Sequence, residues 1–245
     1  MMRAWENRPD CVVSDEPFYA AWLSATGEPH PMAKTVIEAG QTDGGMVAKT
    51  LSEGEPPLHF NEGRPVRIWY QKQMCQHWMD GLGYEWLAPL THVFLIRDPT
   101  KVVVSYIKAR ATVHVTPDDV GLPQQARLYA EITRRQGHPP PVIDTEEFLR
   151  EPAAYLGALC DYLGVPRYEK AMQAWPRGPR PSDGIWASHW YRRVWASAGF
   201  ESPSVSGEEL DTDTQGLLAN AEARAVIEAC RPYYESLKQH TLSPV

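Results

Sequence analysis

The sequence has few of the residues that mark disulfide-linked, metal-binding or membrane proteins. Its four cysteines are scattered along 245 residues, with no Cys-x-x-Cys pair and no Cys/His cluster. At this length, scattered cysteines are more typical of reduced thiols in a cytoplasm than of disulfides. No apolar run approaches the length of a membrane span, and no signal peptide is recognisable. The sequence therefore predicts a cytoplasmic protein without a metal, in contact with neither a membrane nor nucleic acid.

Positive charge is also scarce. Lys and Arg number 24 against 31 Asp and Glu, which gives a net charge of −7, and the isoelectric point is near 5.6. This balance excludes the basic surface of a nucleic-acid or anionic-membrane binder. Any anion-binding site must therefore depend on a few basic residues at one place and not on the overall charge of the protein.

The phosphate-binding pattern Gly-x4-Gly-Lys-Ser/Thr is missing. The glycine-rich stretch Gly40–Gly45 is acidic, and no strand precedes it. A kinase-like phosphotransferase is thereby disfavoured, because neither its lysine nor its Mg²⁺-binding hydroxyl is present.

What the sequence does contain is an informative stretch, His92–Arg110, HVFLIRDPTKVVVSYIKAR. An apolar run up to Ile96 predicts a strand buried on both faces. Arg97 follows that run, Asp98 is a good helix N-cap, and Pro99 fits the first helical position. A strand therefore brings an arginine to the edge of a sheet, where a helix begins.

The helix that follows places Lys101, Ser105 and Lys108 on one face. A guanidinium, a hydroxyl and two ammonium groups at the carboxyl end of a strand suit an anionic ligand, most simply a phosphate. The alternative is a plain turn and helix cap, with Arg97 paired to a carboxylate. The segment alone favours neither.

Strand-like and helix-like segments alternate along the chain, which predicts a parallel sheet covered on both faces in one α/β domain. The segment Pro140–Pro166 adds a strand, an acidic turn and an amphipathic helix that ends at Gly164 and Pro166. Residues 40–65 read as loop with at most one helical turn. A final helix is expected from about Asp213 to Leu237, broken or kinked near Pro232.

Taken in order, these segments resemble the sulfotransferases that use 3′-phosphoadenosine 5′-phosphosulfate (PAPS). In that family a strand ends in Arg, then Asp or Asn and Pro, and a Ser follows eight residues after the Arg. Arg97 and Ser105 match this spacing. The segment Pro140–Pro166 resembles the late strand–helix unit of the same family. The stretches CVVSDEPFYAAWL and DGIWASHWY resemble its bacterial branch.

The resemblance implies PAPS as cofactor, no metal, and a small-molecule acceptor with a hydroxyl or amine. Arg97 and Ser105 would bind the 3′-phosphate. Arg180 and Trp186, in RPSDGIW, faintly resemble the late cofactor loop of the family, although the order of Asp and Gly is reversed. A proline-rich surface loop with a packed tryptophan is the alternative.

Catalytic candidates come from two strand ends. Lys72 follows the strand-like VRIWYQ and resembles the family's lysine at the sulfate, but Met74 stands where the family has histidine. His77, about one turn later, could act as the base, or it could be a half-buried structural histidine. Glu16, or Asp15, is another candidate base because strand ends face the active site in such sheets. A capped turn is the alternative there.

In the family, the fold starts with a strand and a glycine-containing loop whose backbone N–H groups bind the phosphosulfate. In the bacterial branch this loop reads roughly Gly-Pro-Arg-x-x-Ser-Thr and directly precedes a helix like MMRAWENRPD. The 245 residues contain no such loop. We therefore expect a P-loop-type three-layer parallel sheet flanked by helices, with its first, central strand missing. Residues 1–245 would form a single, N-terminally truncated sulfotransferase-like domain whose enzymatic activity belongs to a full-length form. A non-catalytic 3′-phosphonucleotide-binding relative remains an alternative.

Overall fold

A computed structural model describes residues 1–57, 65–112, 114–201 and 212–244 of the chain. Its secondary structure mixes strands and helices. The strands are β1 (Cys11–Asp15), β2 (Ile68–Lys72), β3 (Phe94–Ile96) and β4 (Val142–Asp144). The helices are α1 (Met2–Glu6), α2 (Tyr19–Thr26), α3 (Ala33–Ala39), α4 (Gly44–Glu53), α5 (Pro99–Arg110), α6 (Pro117–Val120), α7 (Leu122–Gln136), α8 (Thr145–Arg150), α9 (Pro152–Tyr162), α10 (Glu169–Gln173), α11 (Ala187–Trp190), α12 (Arg192–Ala196), α13 (Thr212–Ala219) and α14 (Ala221–Lys238).

The chain divides into two compact units, each with its own parallel strand pair. Unit 1 consists of Met1–Leu90 and Pro152–Glu201, and unit 2 of Thr91–Glu151 and Ser202–Val245. Strands β1 and β2 pair in unit 1, and β3 and β4 pair in unit 2. The predicted α/β class with parallel strands is thus confirmed at the level of these small sheets.

The strand pair of unit 1 places charged residues at one edge of its sheet. β1 runs parallel to β2 with Cys11 opposite Ile68 and Asp15 opposite Lys72. One further bond extends the ladder, because the Glu16 N–H donates to the Lys72 carbonyl at 2.9 Å. Both strands therefore end at the same edge, as parallel strands must.

A buried ion pair anchors the segment between α1 and β1. The Arg8 guanidinium donates to both Asp10 oxygens at 2.9 and 3.1 Å and to the Pro166 carbonyl at 2.9 Å. It also lies over the rings of Trp5 and Tyr168, at 5.2 and 4.9 Å from their centroids. The charge is thus paired and hydrogen-bonded, which a buried guanidinium requires.

Unit 2 confirms the strand-to-helix corner that the sequence predicts. Asp98 caps α5 by accepting from the Thr100 N–H at 2.8 Å, and Pro99 occupies the first turn. Asp144, at the end of β4, caps α8 in the same way and accepts a bond from the Tyr234 hydroxyl of α14 at 2.7 Å. In this unit, each strand is therefore followed closely by a helix whose N-terminus is capped.

Three details of the sequence interpretation are wrong. Leu95 is 44% exposed, so β3 is not buried on both faces; the described residues cover the face of Phe94 and Ile96 more completely. The region read as loop contains the ten-residue helix α4, capped by Asp43. The final helical region breaks at Asn220, which caps α14, and the helix does not break at Pro232, which lies inside it.

All four cysteines are free thiols. Within the described ranges, no helix combines the length and the apolar character that a membrane crossing requires.

Candidate active site

The carboxyl ends of β1 and β2 carry a cluster of charged side chains within unit 1. Lys72 ends β2, and its ammonium donates to Asp15 Oδ1 at 3.1 Å, to the Tyr191 hydroxyl at 2.8 Å, and to Glu16 Oε1. The Tyr191 hydroxyl in turn donates to Asp15 Oδ2 at 2.5 Å. We call these four residues the Lys72 cluster. It unites two elements distant in sequence with the connection between α11 and α12.

Burial and charge together shift the protonation of the Lys72 cluster. Burial opposes the charged form of Lys72, but the neighbouring Glu16 and Asp15 carboxylates raise its pKa well above the usual value. Burial raises the pKa of Asp15, with the Lys72 charge acting against the shift. Burial likewise raises the pKa of Tyr191. The lysine is therefore held as a cation at neutral pH, beside a phenol that keeps its proton.

The backbone at Glu16 is strained. Its φ of +47° lies in the left-handed region, which a residue with a Cβ seldom occupies outside turns. The turn lets the chain leave β1 for α2 while the Glu16 side chain stays beside Lys72. Strain of this kind tends to occur at functional sites.

Sequence reasoning identified Lys72 and Glu16, named Asp15 only as an alternative to Glu16, and missed Tyr191. A signal for Asp15 exists, because the last residues of two adjacent parallel strands face each other. Tyr191 carries no such signal. It is the last residue of the stretch DGIWASHWY, which resembles the bacterial branch of the family, but the sequence does not distinguish it from the other aromatic residues of that stretch.

His77 occupies a short 3₁₀ turn and is almost fully buried, at 3% exposure. Its ring stacks on Tyr19 with centroids 4.8 Å apart and lies 4.9 Å from Trp22. Burial lowers the pKa of His77 to about 3, and the Lys72 charge adds to the effect. Its Nδ1 is buried and has no hydrogen-bond partner among the described residues. The imidazole is thus neutral at physiological pH.

The other predicted residues of unit 1 belong to a turn fixed by carboxylates. Arg180 pairs with Glu6 at 3.1 Å, and its second terminal nitrogen is buried without a partner among the described residues. The Arg180 N–H donates to Asp183 at 2.8 Å, and Arg3 also binds that carboxylate, at 2.7 Å. Both cations and both carboxylates therefore hold the turn in one shape.

Trp186 follows that turn and is buried against Tyr19, edge to face at 5.2 Å. Its indole ring folds back over Gly184. A Cβ on Gly184 would lie 2.1 Å from the Trp186 ring, far inside contact distance. Only glycine at position 184 therefore permits this ring position.

We expect Gly184→Ala to destabilise the protein by about 1–3 kcal/mol, because the added methyl group must displace the buried indole. Urea unfolding followed by circular dichroism measures the effect. Gly81→Ala is the matched control, since a Cβ there meets no atom within 4 Å. Equal unfolding midpoints for the two variants would contradict the assigned packing.

Unit 2 carries the two residues that the sequence assigned to a 3′-phosphate. Arg97 lies between β3 and the Asp98 cap, and Ser105 lies on α5; both are exposed. Neither side chain forms a hydrogen bond or ion pair with another described residue. Two cations of the same helix are engaged, Lys101 by Glu146 and Lys108 by the Thr214 hydroxyl. Arg97 and Ser105 are therefore accessible to a ligand.

No group of three or more His, Cys, Asp or Glu side chains in the described ranges is arranged to hold a metal ion. The Lys72 cluster offers a fixed cation, which can stabilise a developing negative charge, and a carboxylate, which can accept a proton.

Comparison with known proteins identifies the family of the chain. The family model described as sulfotransferase domain matches residues 1–240. The chain belongs to this sulfotransferase family. Two Arabidopsis thaliana relatives, named branched-chain-amino-acid aminotransferase-like proteins 2 and 1, are each 30% identical over 240 residues, which is 98% of this chain and 39% of the relative. The chain thus spans about two fifths of the length of these relatives.

Proposed function

We propose that the protein transfers a sulfuryl group from PAPS to a hydroxyl or amine of a small-molecule acceptor. The observation that carries this proposal is the Lys72 cluster at the ends of two parallel strands. Membership of the sulfotransferase family supports PAPS as the donor. The two relatives are named for whole proteins of which the region that matches this chain is only 39%.

In this proposal the Lys72 cluster performs the chemistry. As the acceptor oxygen attacks sulfur, negative charge develops on the oxygen that bridges sulfur and the 5′-phosphate. Lys72 stabilises that charge. Glu16 accepts the proton of the acceptor. We favour Glu16 over His77 as the base because its carboxylate retains solvent exposure, 12% of the side chain, whereas His77 is buried and its pKa is about 3.

Within unit 2, Arg97 and Ser105 are proposed to bind the 3′-phosphate of the nucleotide. Arg97 offers a planar guanidinium with paired N–H donors, the group that best matches a phosphate, and Ser105 offers a hydroxyl. Arg180 and Trp186 of unit 1 are proposed separately, on the resemblance of RPSDGIW to the cofactor loop of the family; Arg180 Nη2 and the Trp186 side chain are buried in the protein alone. The exposure of Arg97 and Ser105, with no described partner, supports their role.

A non-catalytic protein that binds 3′-phosphonucleotides is the second candidate. It is favoured because all three N–H groups of the Lys72 ammonium already have protein partners. Binding of 3′-phosphoadenosine 5′-phosphate (PAP) without sulfuryl transfer would distinguish it from the enzyme.

We expect Arg97→Ala to weaken PAP binding about 10- to 100-fold, as loss of a charge-assisted phosphate contact does. Isothermal titration calorimetry with PAP and with ADP measures it. ADP affinity should change less than twofold, because ADP has no 3′-phosphate. The exposed Arg127 of α7 provides the control variant, Arg127→Ala. Unchanged PAP affinity in Arg97→Ala would overturn the assignment.

A further inference from the structure

The ammonium group of Lys72 has no N–H left for a ligand. A lysine ammonium carries three donors. In the described structure these reach Asp15 Oδ1, the Tyr191 hydroxyl and Glu16 Oε1. A sulfuryl donor brings anionic oxygens that need one of these donors. One protein partner must therefore give way when the donor binds.

Asp15 and Tyr191 are poorly suited to give up their hydrogen bonds to Lys72. The Asp15 side chain is 1% exposed, and each of its oxygens accepts a bond, one from Lys72 and one from Tyr191. Tyr191 is also buried. Separating Asp15 from Lys72 would leave the buried Asp15 Oδ1 without its hydrogen bond, which is costly. Tyr191 is held beside Lys72 by its own bond to Asp15 Oδ2.

Glu16 is suited to give up its hydrogen bond to Lys72. Its side chain is more exposed than that of Asp15, at 12% against 1%. No hydrogen bond from another described side chain reaches its second oxygen, Oε2. It also lies in the left-handed conformation, just beyond the last residue of β1. A carboxylate released at this point can turn toward solvent with little loss of packing.

We propose that Lys72 exchanges Glu16 for an anionic oxygen of the sulfuryl donor, and that the released Glu16 carboxylate then serves as the base for the acceptor. This inference rests on the proposed function. Asp15 and Tyr191 keep two of the Lys72 donors throughout and act as positioning residues. The base is masked until the donor is bound, so the donor binds before the acceptor can react.

The chemical step balances. The acceptor oxygen forms a bond to sulfur while its proton passes to Glu16. The bond from sulfur to the bridging oxygen breaks, and PAP leaves with that electron pair. Lys72 stays protonated, and the proton on Glu16 is lost to solvent when PAP leaves and Lys72 returns to Glu16.

The experiment uses isothermal titration calorimetry, without acceptor, to compare the affinity of PAPS for the unmodified full chain and for variants of it. In Glu16→Gln the competitor for Lys72 is neutral, and we expect about tenfold tighter PAPS binding. In Asp15→Asn the same negative charge is removed, but Lys72 loses its anchor; we expect unchanged or weaker binding. In a Lys72→Met background, Glu16→Gln should change affinity less than twofold.

Glu16→Asn provides a second variant, because asparagine tolerates the left-handed conformation and its shorter side chain withdraws from Lys72. Tighter binding in Glu16→Gln or Glu16→Asn, combined with no gain in Asp15→Asn, supports the exchange. Equal gains in the Glu16 and Asp15 variants indicate a general effect of charge and overturn it. PAPS binding that no Glu16 variant tightens overturns the exchange but leaves the proposed function standing. Absence of PAPS binding by every form overturns both.

Discussion

Lys72→Met is expected to lower kcat/KM for sulfuryl transfer by about 10²- to 10³-fold, the effect of losing one preorganised donor to a developing anion. Methionine retains much of the length of the lysine chain but brings no charge. Its effect should lie in kcat as well as in donor affinity, because the charge on the bridging oxygen grows toward the transition state. No remaining member of the Lys72 cluster can supply a cation in its place.

The measurement follows labelled sulfuryl transfer from PAPS to a panel of phenols, alcohols and amines. Lys170→Met, at an exposed lysine on α10 of the same unit, is the matched control and should retain full activity. Lys72→Arg should restore part of the loss, since a guanidinium keeps the charge. A Lys72→Met protein with near-normal turnover would exclude this ammonium from the reaction.

Arg8→Ala is expected to destabilise the protein by about 3–5 kcal/mol, because it leaves the Asp10 carboxylate without its counter-charge in a poorly hydrated place. The Arg8 side chain is fully buried and that of Asp10 is 10% exposed. The variant also removes the cation that lies over Trp5 and Tyr168. Loss of this size is a large share of the stability of a typical domain.

Urea unfolding of Arg8→Ala and Arg193→Ala tests this claim. Arg193 also pairs with a carboxylate, Glu201 at 3.5 Å, but its side chain is 92% exposed. An exposed pair of this kind contributes less than about 1 kcal/mol. Similar unfolding midpoints for the two variants would show that burial of Arg8 does not matter to stability.

Local rules predicted the strand-to-helix corners of unit 2 well. Asp98 and Pro99 cap and start α5 as expected, and the acidic turn after β4 becomes the capped start of α8. Such predictions are reliable because two or three neighbouring residues determine a helix cap. The strand ends of Lys72 and Glu16 were equally readable, since the carboxyl ends of parallel strands share one edge.

Signals that depend on distant partners were harder to read. The helix α4 starts with two glycines after Asp43, a composition that favours loop, yet Val47 and Leu51 are buried and stabilise it. Tyr191 enters the Lys72 cluster through tertiary contact alone. The burial of His77 also depends on Tyr19 and Trp22, about 55 residues earlier in the chain. No local pattern contains this information.

The most direct test of the proposed nucleotide site is the nucleotide preference of the chain itself. We expect PAP to bind at least about tenfold more tightly than ATP with Mg²⁺, because a 3′-phosphate adds a charge-assisted contact to Arg97. Calorimetric titration of both nucleotides under the same salt gives the ratio. Equal affinities, or tighter binding of ATP with Mg²⁺, would contradict the account.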